Sequence, residues 1–505
     1  MPSKLDKLRS EAKALKKAAA AGDAAAIARL RRVVPGEAAP KHADFLHVVA
    51  VESGFDSWPK LKFALETAAM SRAERADRLR RALYFGQAWA VKKLLGAEPD
   101  LAQEGLDLQI ATHDAAAVRR AVSRAPAQAA EKIGLRSPIL HLAFSHYVHI
   151  APETAPEMLE IARLLVANGA DVNDGCPPEP GSEHRLSALY GALGHADNMA
   201  LAAWLLDHGA SPDDDESLYH ATELGHTDGL RLLMKHGVRP SGTNALPRAL
   251  DFDDVEAVRL LLEHGADPNE AVAGHPSGQP IDTIPALHQA ARRWRSAEIG
   301  ALLLAFGADA GAVWRGHTAY ALARIYGAAP IADLLEARGL ATPLSATERA
   351  LAACAEGAAP AARLADAELS EEDRLLLTRL VSTPTPLAHL QALVAAGLDP
   401  NRPEEMGLTP LHVAAWEGLP ERLAYFLTLD PDLDHVNGYG GDALGTVIHG
   451  AEFCPKAAER DHIDCARLLL EAGATLRPSD VARCGDDRMA LFLESWSGGS
   501  APRSD

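Results

Sequence analysis

The sequence predicts an all-α dominated solenoid, built of stacked helix-turn-helix units with projecting loops. The first observation is a helix ending that recurs along the chain. It reads LLVANGADVN (164–173), LLDHGASPD (205–213), LLMKHGVRP (232–240), LLLEHGADPN (260–269), LLLAFGADA (302–310), LVAAGLDPN (393–401) and LLLEAGATL (468–476). The second is its spacing. Glycines 169, 209, 237, 265 and 307 lie roughly 28 to 42 residues apart, within the period of repeat arrays. The third is composition: 48% hydrophobic but only 5% aromatic, so the core is Ala, Leu and Val, the mix of tightly packed helices.

The elements follow in order. MPSKLDKLRSEAKALKKAAAAGD alternates charge with Leu and Ala. It lacks the apolar core of a secretory signal and reads as a helix. KHADFLHVVAVESGFDSWPKLKFALE (41–66) has a helix–Gly–helix rhythm with Trp58 added. Residues 79–102 and 110–130 read as degenerate units, and 136–345 as well-formed ones. Residues 346–373 are Ala-rich and read as a worn helix pair. Well-formed units return over 374–480, and SGGSAPRSD (497–505) reads as a disordered tail.

Each ending has a physical cause. Leu260, Leu261 and Leu262 supply an apolar face, and Gly265 takes the left-handed position that stops the helix. Asp267, Pro268 and Asn269 then turn the chain away. The beginnings are clearest in GLTPLHVAAWEGLPERLAYFL (407–427). Thr409 can cap a helix that Pro410 opens, Gly418 breaks it, and Leu423, Phe426 and Leu427 belong to a second.

Thr409-Pro410-Leu411-His412-Val413-Ala414 matches the T-P-L-H-x-A signature, so the chain resembles an ankyrin-repeat protein. Weaker matches are Pro285-Ala286-Leu287-His288-Gln289-Ala290 and Ser137-Pro138-Ile139-Leu140-His141-Leu142-Ala143. The N-terminal segment and GYGGDALGTVIHGAEFC (438–454) resemble variants seen in bacterial ankyrin proteins. The implied organisation is a divergent helical module over 1–71 and an array over 72–345, degenerate over 72–135. Degenerate repeats over 346–406, C-terminal repeats over 407–480, and a cap and tail over 481–505 follow. The resemblance also implies paired antiparallel helices and a concave groove. Stacked units bury faces that one unit cannot bury alone.

Four insertions interrupt the pattern: 146–157, 174–185, 270–284 and 449–461. They are binding-face loops or tolerated surface length. Catalytic and cofactor motifs are missing from the sequence: there is no GxSxG, no P-loop and no HExxH. His208, His236 and His264 precede three successive glycines. Stacked helices stand about 8–10 Å apart, too far for one zinc ion, so each reads as a partner for its own last-turn carbonyl. His141, His146 and His149 likewise read as structural. The run Asp213-Asp214-Asp215-Glu216 reads as a solvated loop and cap.

The chain therefore reads as a non-enzymatic scaffold without cofactor or metal. Family geometry implies that the residues after the paired alanines face the groove: Trp416 and Glu417 in one unit, Arg292, Arg293 and Trp294 in another. Tyr326 is a further candidate. These residue types are enriched in interface hot spots. The net charge of −19 disfavours nucleic acid and favours a protein partner with a basic surface. Five scattered cysteines and no span-length apolar run point to a reducing cytoplasm and no membrane. A site grafted on the solenoid, or an effector acting on host proteins, are the alternatives.

Overall fold

A computed structural model describes residues 4–34, 42–270, 284–360, 362–484 and 486–497. The chain forms two compact units. One comprises Met70–Arg324 with Ala328–Pro343; the other comprises Met1–Ala69, Ile325–Gly327 and Leu344–Asp505. Both are helical, with only two short antiparallel strand pairs among the described residues.

In both units the recurrent ending has one hydrogen-bond pattern. In the helix Val255–Glu263, Asp254 accepts from the amides of Glu256 and Ala257 at the start. Ala257, Val258, Leu260, Leu261 and Leu262 are buried. Each fully buried Leu contributes about 1.5–3 kcal/mol. Gly265 has φ +95°, and the Ala266 amide returns to the Leu261 carbonyl at 2.9 Å. The same bond closes the other six endings: Ala170 to Leu165, Ala210 to Leu205, Val238 to Leu233, Ala308 to Leu303, Leu398 to Leu393, and Ala474 to Leu469. This is the Schellman closure, which satisfies a carbonyl that the helix would leave orphaned.

The residues after the glycine join neighbouring repeats. Asn269 donates from Nδ2 to the Gly307 carbonyl at 2.9 Å and accepts from the Asp309 amide at 2.7 Å. Asn173 does the same with Gly209 and Ser211. Two projecting loops close as hairpins. Gly175–Cys176 pairs with Leu186–Ser187, spanning the 174–185 insertion, and Val313–Trp314 pairs with His317–Thr318. Arg315 and Gly316 both have positive φ, as a two-residue type I′ turn requires. The 146–157 insertion folds as the short helices Tyr147–Ile150 and Pro152–Thr154. The 270–284 insertion lies, except for its two ends, outside the described residues.

In the second unit, Lys4–Ala20, Ala24–Val33, His42–Glu52 and Trp58–Ala69 enclose a core of their own that includes Leu15, Leu30, Phe45, Leu46, Trp58 and Leu61. The signature unit behaves as its residues require. Thr409 caps the helix Pro410–Trp416, and its hydroxyl lies 2.8 Å from Nδ1 of the buried His412. His412 Nε2 donates to the His435 carbonyl of the next loop at 3.2 Å. In place of a helix pair, residues 346–373 hold the helix Ala346–Ala355, a 3₁₀ turn and the start of Glu371–Arg374. Ala346–Ala355 packs instead on Leu387–Ala396. The connecting strand of chain is fixed by the Leu364 amide on the Ala396 carbonyl. The tail 498–505 lies outside the described residues.

Candidate functional site

In the first unit the ends of the short leading helices come together as a continuous line of rings and charges. Tyr84 ends Arg72–Tyr84, and Phe144 follows Pro138–Ala143. Their rings stack at 5.8 Å, and the Arg136 guanidinium covers both, at 4.3 and 5.1 Å. His195 lies 4.3 Å from Tyr84 and 5.2 Å from Phe144, and donates from Nε2 to the Tyr84 carbonyl. Tyr190 touches Phe144 at 5.9 Å and His220 at 4.9 Å.

Two glycines make this proximity possible. Gly191–His195 is a π-turn, which brings an extra residue into the helix end. A Cβ at Gly191 would stand 2.7 Å from Phe144 Cδ2, and one at Gly194 would stand 2.8 Å from His220 Cβ and Tyr190 Cδ2.

Beyond the rings the line becomes a ladder of carboxylates alternating with histidines and arginines. His184, from the insertion hairpin, reaches Glu216 at 2.6 Å, and Glu216 reaches His220 at 2.9 Å. His220 Nδ1 lies 2.8 Å from Glu223, which accepts from Arg248 Nε at 2.8 Å. Arg248 donates to Asp251 at 2.9 Å, and Asp251 also accepts from Arg293 Nε at 2.8 Å and Gln289 Nε2 at 3.0 Å. The Arg248 guanidinium also lies between the Tyr219 and Phe252 rings, at 5.5 and 4.9 Å.

The ladder sets the protonation of its members. Burial pulls His220 down, but the carboxylates of Glu216 and Glu223 overcome it and raise its pKa to about 9, so it is an imidazolium at neutral pH. Burial, helped by the nearby Arg136 and His220 cations, outweighs the Tyr84 carbonyl and lowers His195 to about 4. Two histidines on one face thus carry different charge, for reasons visible in their surroundings.

The acidic run divides by role. Asp214 accepts from the Glu216 and Ser217 amides and from the hydroxyls of Ser187 and Ser217, so it caps the loop. Asp213 holds Arg239 at 3.0 Å. Glu216, only 1% exposed, belongs to the ladder instead. An open cleft of about 450 Å³ separates loop Pro212–Glu216 from loop Val238–Thr243.

Two of the three histidines before the glycines act as capping partners, whereas His236 instead places Nε2 3.7 Å from Asp207. His208 and His264 place Nδ1 at 2.7 and 2.8 Å from the carbonyls of Trp204 and Leu260. His141 donates to the Ile133 carbonyl and His149 to that of Ala196. Among the described residues, no group of three metal-ligating side chains is arranged to hold an ion.

Residues 189–271, which contain most of the ladder, match the family model described as ankyrin repeats (3 copies). The chain carries ankyrin repeats. Ankyrin repeat and SOCS box protein 16 of Mus musculus is 41% identical over 71 residues, which are 14% of this chain and 15% of that protein. Palmitoyltransferase Hip14 of Drosophila melanogaster is 32% identical over 98 residues, 19% of this chain and 14% of that protein. The chain thus spans about one seventh of the length of these relatives. Similar solved structures include the human ASB11 ankyrin repeat domain, at 23% identity and TM-score 0.33, covering 49% of this chain and 96% of that one. An ankyrin repeat domain from Acinetobacter baumannii AYE has 24% identity and TM-score 0.31, covering 40% and 97%.

The structure distributes the sequence-predicted residues unevenly between exposed and buried positions. Arg293 is exposed and ends the ladder. Trp294 is half-buried with φ +57°, and its indole N–H meets no acceptor among the described residues. Trp416 is half-buried, its ring 5.4 Å from His449, and His449 lies 4.5 Å from the exposed ring of Phe453. Glu417 is half-buried beside it. Two expectations of exposure need correction. Arg292 is buried, with its guanidinium over the Trp314 ring of the next hairpin. Tyr326 is fully buried, because the turn Glu371–Arg374 lies over it and Glu372 accepts its hydroxyl at 2.5 Å.

Glu216, His220, Glu223, Arg248 and Asp251 were not singled out by the sequence as a site. Glu216 and His220 are four residues apart and Arg248 and Asp251 three, so those contacts are local in sequence. Their joining across repeats is not.

Proposed function

We propose that this protein is a non-enzymatic binding scaffold that presents its ankyrin face to a protein partner. The observation that supports this best is the unbroken line of rings and charges from Tyr84 to Arg293. Each side chain in it is held by a neighbour from another repeat. A face preordered in this way loses little conformational entropy on docking. Arg293 and Trp294 are the proposed partner contacts of the first unit, and Trp416 and Glu417, extended by the exposed Phe453, are those of the second. Arg292 lies buried in the first unit, and Tyr326 is interior to the second. The five cysteines are free thiols, and no helix among the described residues is long and apolar enough to cross a membrane. Both fit a reducing, cytoplasmic setting. The −19 charge favours basic partners at long range, whereas within a Debye length of about 8–10 Å the local side chains decide.

Affinity capture from the native organism tests the scaffold reading, comparing the natural protein with Trp416→Ala and with Arg293→Ala. A partner lost in either variant, with helical content unchanged, supports it. Identical partner lists for all three proteins refute the assignment of this face.

A further inference from the structure

The Arg293 end of the ladder differs from the rest of this acidic chain. Arg248, Arg292, Arg293, Arg295 and Arg315 gather there, against Glu223, Asp251 and Asp253. Arg292 and Arg315 flank one indole, that of Trp314, at 5.8 and 5.0 Å.

Its carboxylates are already engaged. Asp251 Oδ1 accepts from Gln289 and Arg293, and its Oδ2 accepts from Arg248. Glu223 Oε1 accepts from Arg248 and its Oε2 faces His220. A lysine arriving here would find acceptors that are in use. The cationic side is different. Arg293 spends Nε on Asp251, and its two terminal nitrogens meet no acceptor among the described residues, while its side chain is 44% exposed. A guanidinium carries five N–H donors in a planar fork that matches a carboxylate edge to edge. With Nε pinned, Arg293 has lost much of its rotamer freedom before any partner arrives. Phe252, 47% exposed, offers an apolar surface against Arg248, the arginine that shares Asp251 with Arg293.

We infer that this end of the face docks an acidic peptide segment of a partner protein. A Glu or Asp carboxylate of the segment pairs with the free edge of Arg293, and an adjacent apolar side chain rests on Phe252. The inference rests on the scaffold reading and names the chemistry of its partner. It reverses, for this end of the face, the basic partner that the total charge suggests.

Fluorescence anisotropy of the full chain at physiological salt tests it. The probes are three short fluorescein-labelled peptides, alternating Leu with Glu, Leu with Gln, and Leu with Lys. The Glu peptide is expected to bind in preference to the other two. Arg293→Ala is expected to weaken it about tenfold or more, the loss of a charge-assisted pair, and Arg293→Lys to restore it only in part. Arg315→Asn, which keeps the left-handed turn, is expected to weaken it less. Phe252→Ala reports the apolar contact separately from the charge. Preference for the Lys peptide, binding of none, or Glu-peptide binding indifferent to Arg293 overturns the inference. Partner capture that depends on Trp416 would survive each of those results, so the scaffold reading fails only on its own test.

Discussion

Replacing Glu216 by Gln removes one charge from the middle of the ladder at nearly constant shape. Glu216 is 1% exposed and lies between His184 and His220. The folded pKa of His220, about 9, stands above its ordinary 6.5. At 1.36 kcal/mol per pKa unit, the imidazolium contributes at most about 3 kcal/mol to stability, shared between Glu216 and Glu223. The expected loss in Glu216→Gln is therefore about 1–2 kcal/mol near pH 6. The sign follows from linkage. A raised histidine pKa gives stability that is complete below 6.5 and is lost as pH rises through about 9. At pH 10 the variant and the natural protein should be nearly equal, since the anion then lies buried without its cation. Urea titrations at both pH values measure the gap, and NMR titration of the His220 ring measures its pKa. A gap equal at both pH values, or a natural His220 that titrates at or below 6.5, would refute the reasoning. Glu223 has a lowered pKa, through its hydrogen bond to His220 acting against burial. Its part of the ladder is lost as pH falls below the ordinary carboxylate value of 4.5.

Further outcomes follow from the same geometry. Gly191→Ala places a Cβ 2.7 Å from the Phe144 ring, so the ring stripe must shift; a loss of about 1–3 kcal/mol in thermal unfolding is expected, with altered near-ultraviolet circular dichroism. Gly450→Ala is more severe, because the Cβ meets the Trp416 carbonyl oxygen at 2.4 Å, and backbone cannot swing aside; poor soluble yield or a strongly lowered Tm is expected. Tyr326→Phe deletes the donor to the buried Glu372, costing about 1–3 kcal/mol by denaturant titration while leaving partner capture intact, as suits an interior residue.

The endings were legible in the sequence because their cause is local. A leucine run, a glycine and a turn fix a helix stop within ten residues, and the Ala266-to-Leu261 bond recurs wherever that string recurs. The signature His412 was equally legible, since its Thr409 partner is three residues away. Tyr326 shows where this reading ends. Its burial depends on Glu372, and nothing in the string RIYG announces which later segment will cover it. Arg292 fails for the same reason, its neighbour Trp314 belonging to the next hairpin. Of the ladder, only the contacts between residues three or four apart lie within reach of the sequence. The links that make it a line, Glu223 to Arg248 and Asp251 to Arg293, join side chains 25 and 42 residues apart. The spacing of repeats allowed such links without selecting them.

Asp251 holds Arg248 of its own repeat and both Gln289 and Arg293 of the following one. A repeat protein is often pictured as a string of exchangeable bricks, each free to be copied, deleted or reordered. Here one carboxylate needs a particular successor, because a repeat without Gln289 and Arg293 would leave it underused, and one without Asp251 would strand two donors. These neighbours can change only together. Along this stretch the order of the repeats is itself inherited information, and a shuffled array with the same composition would be a different protein.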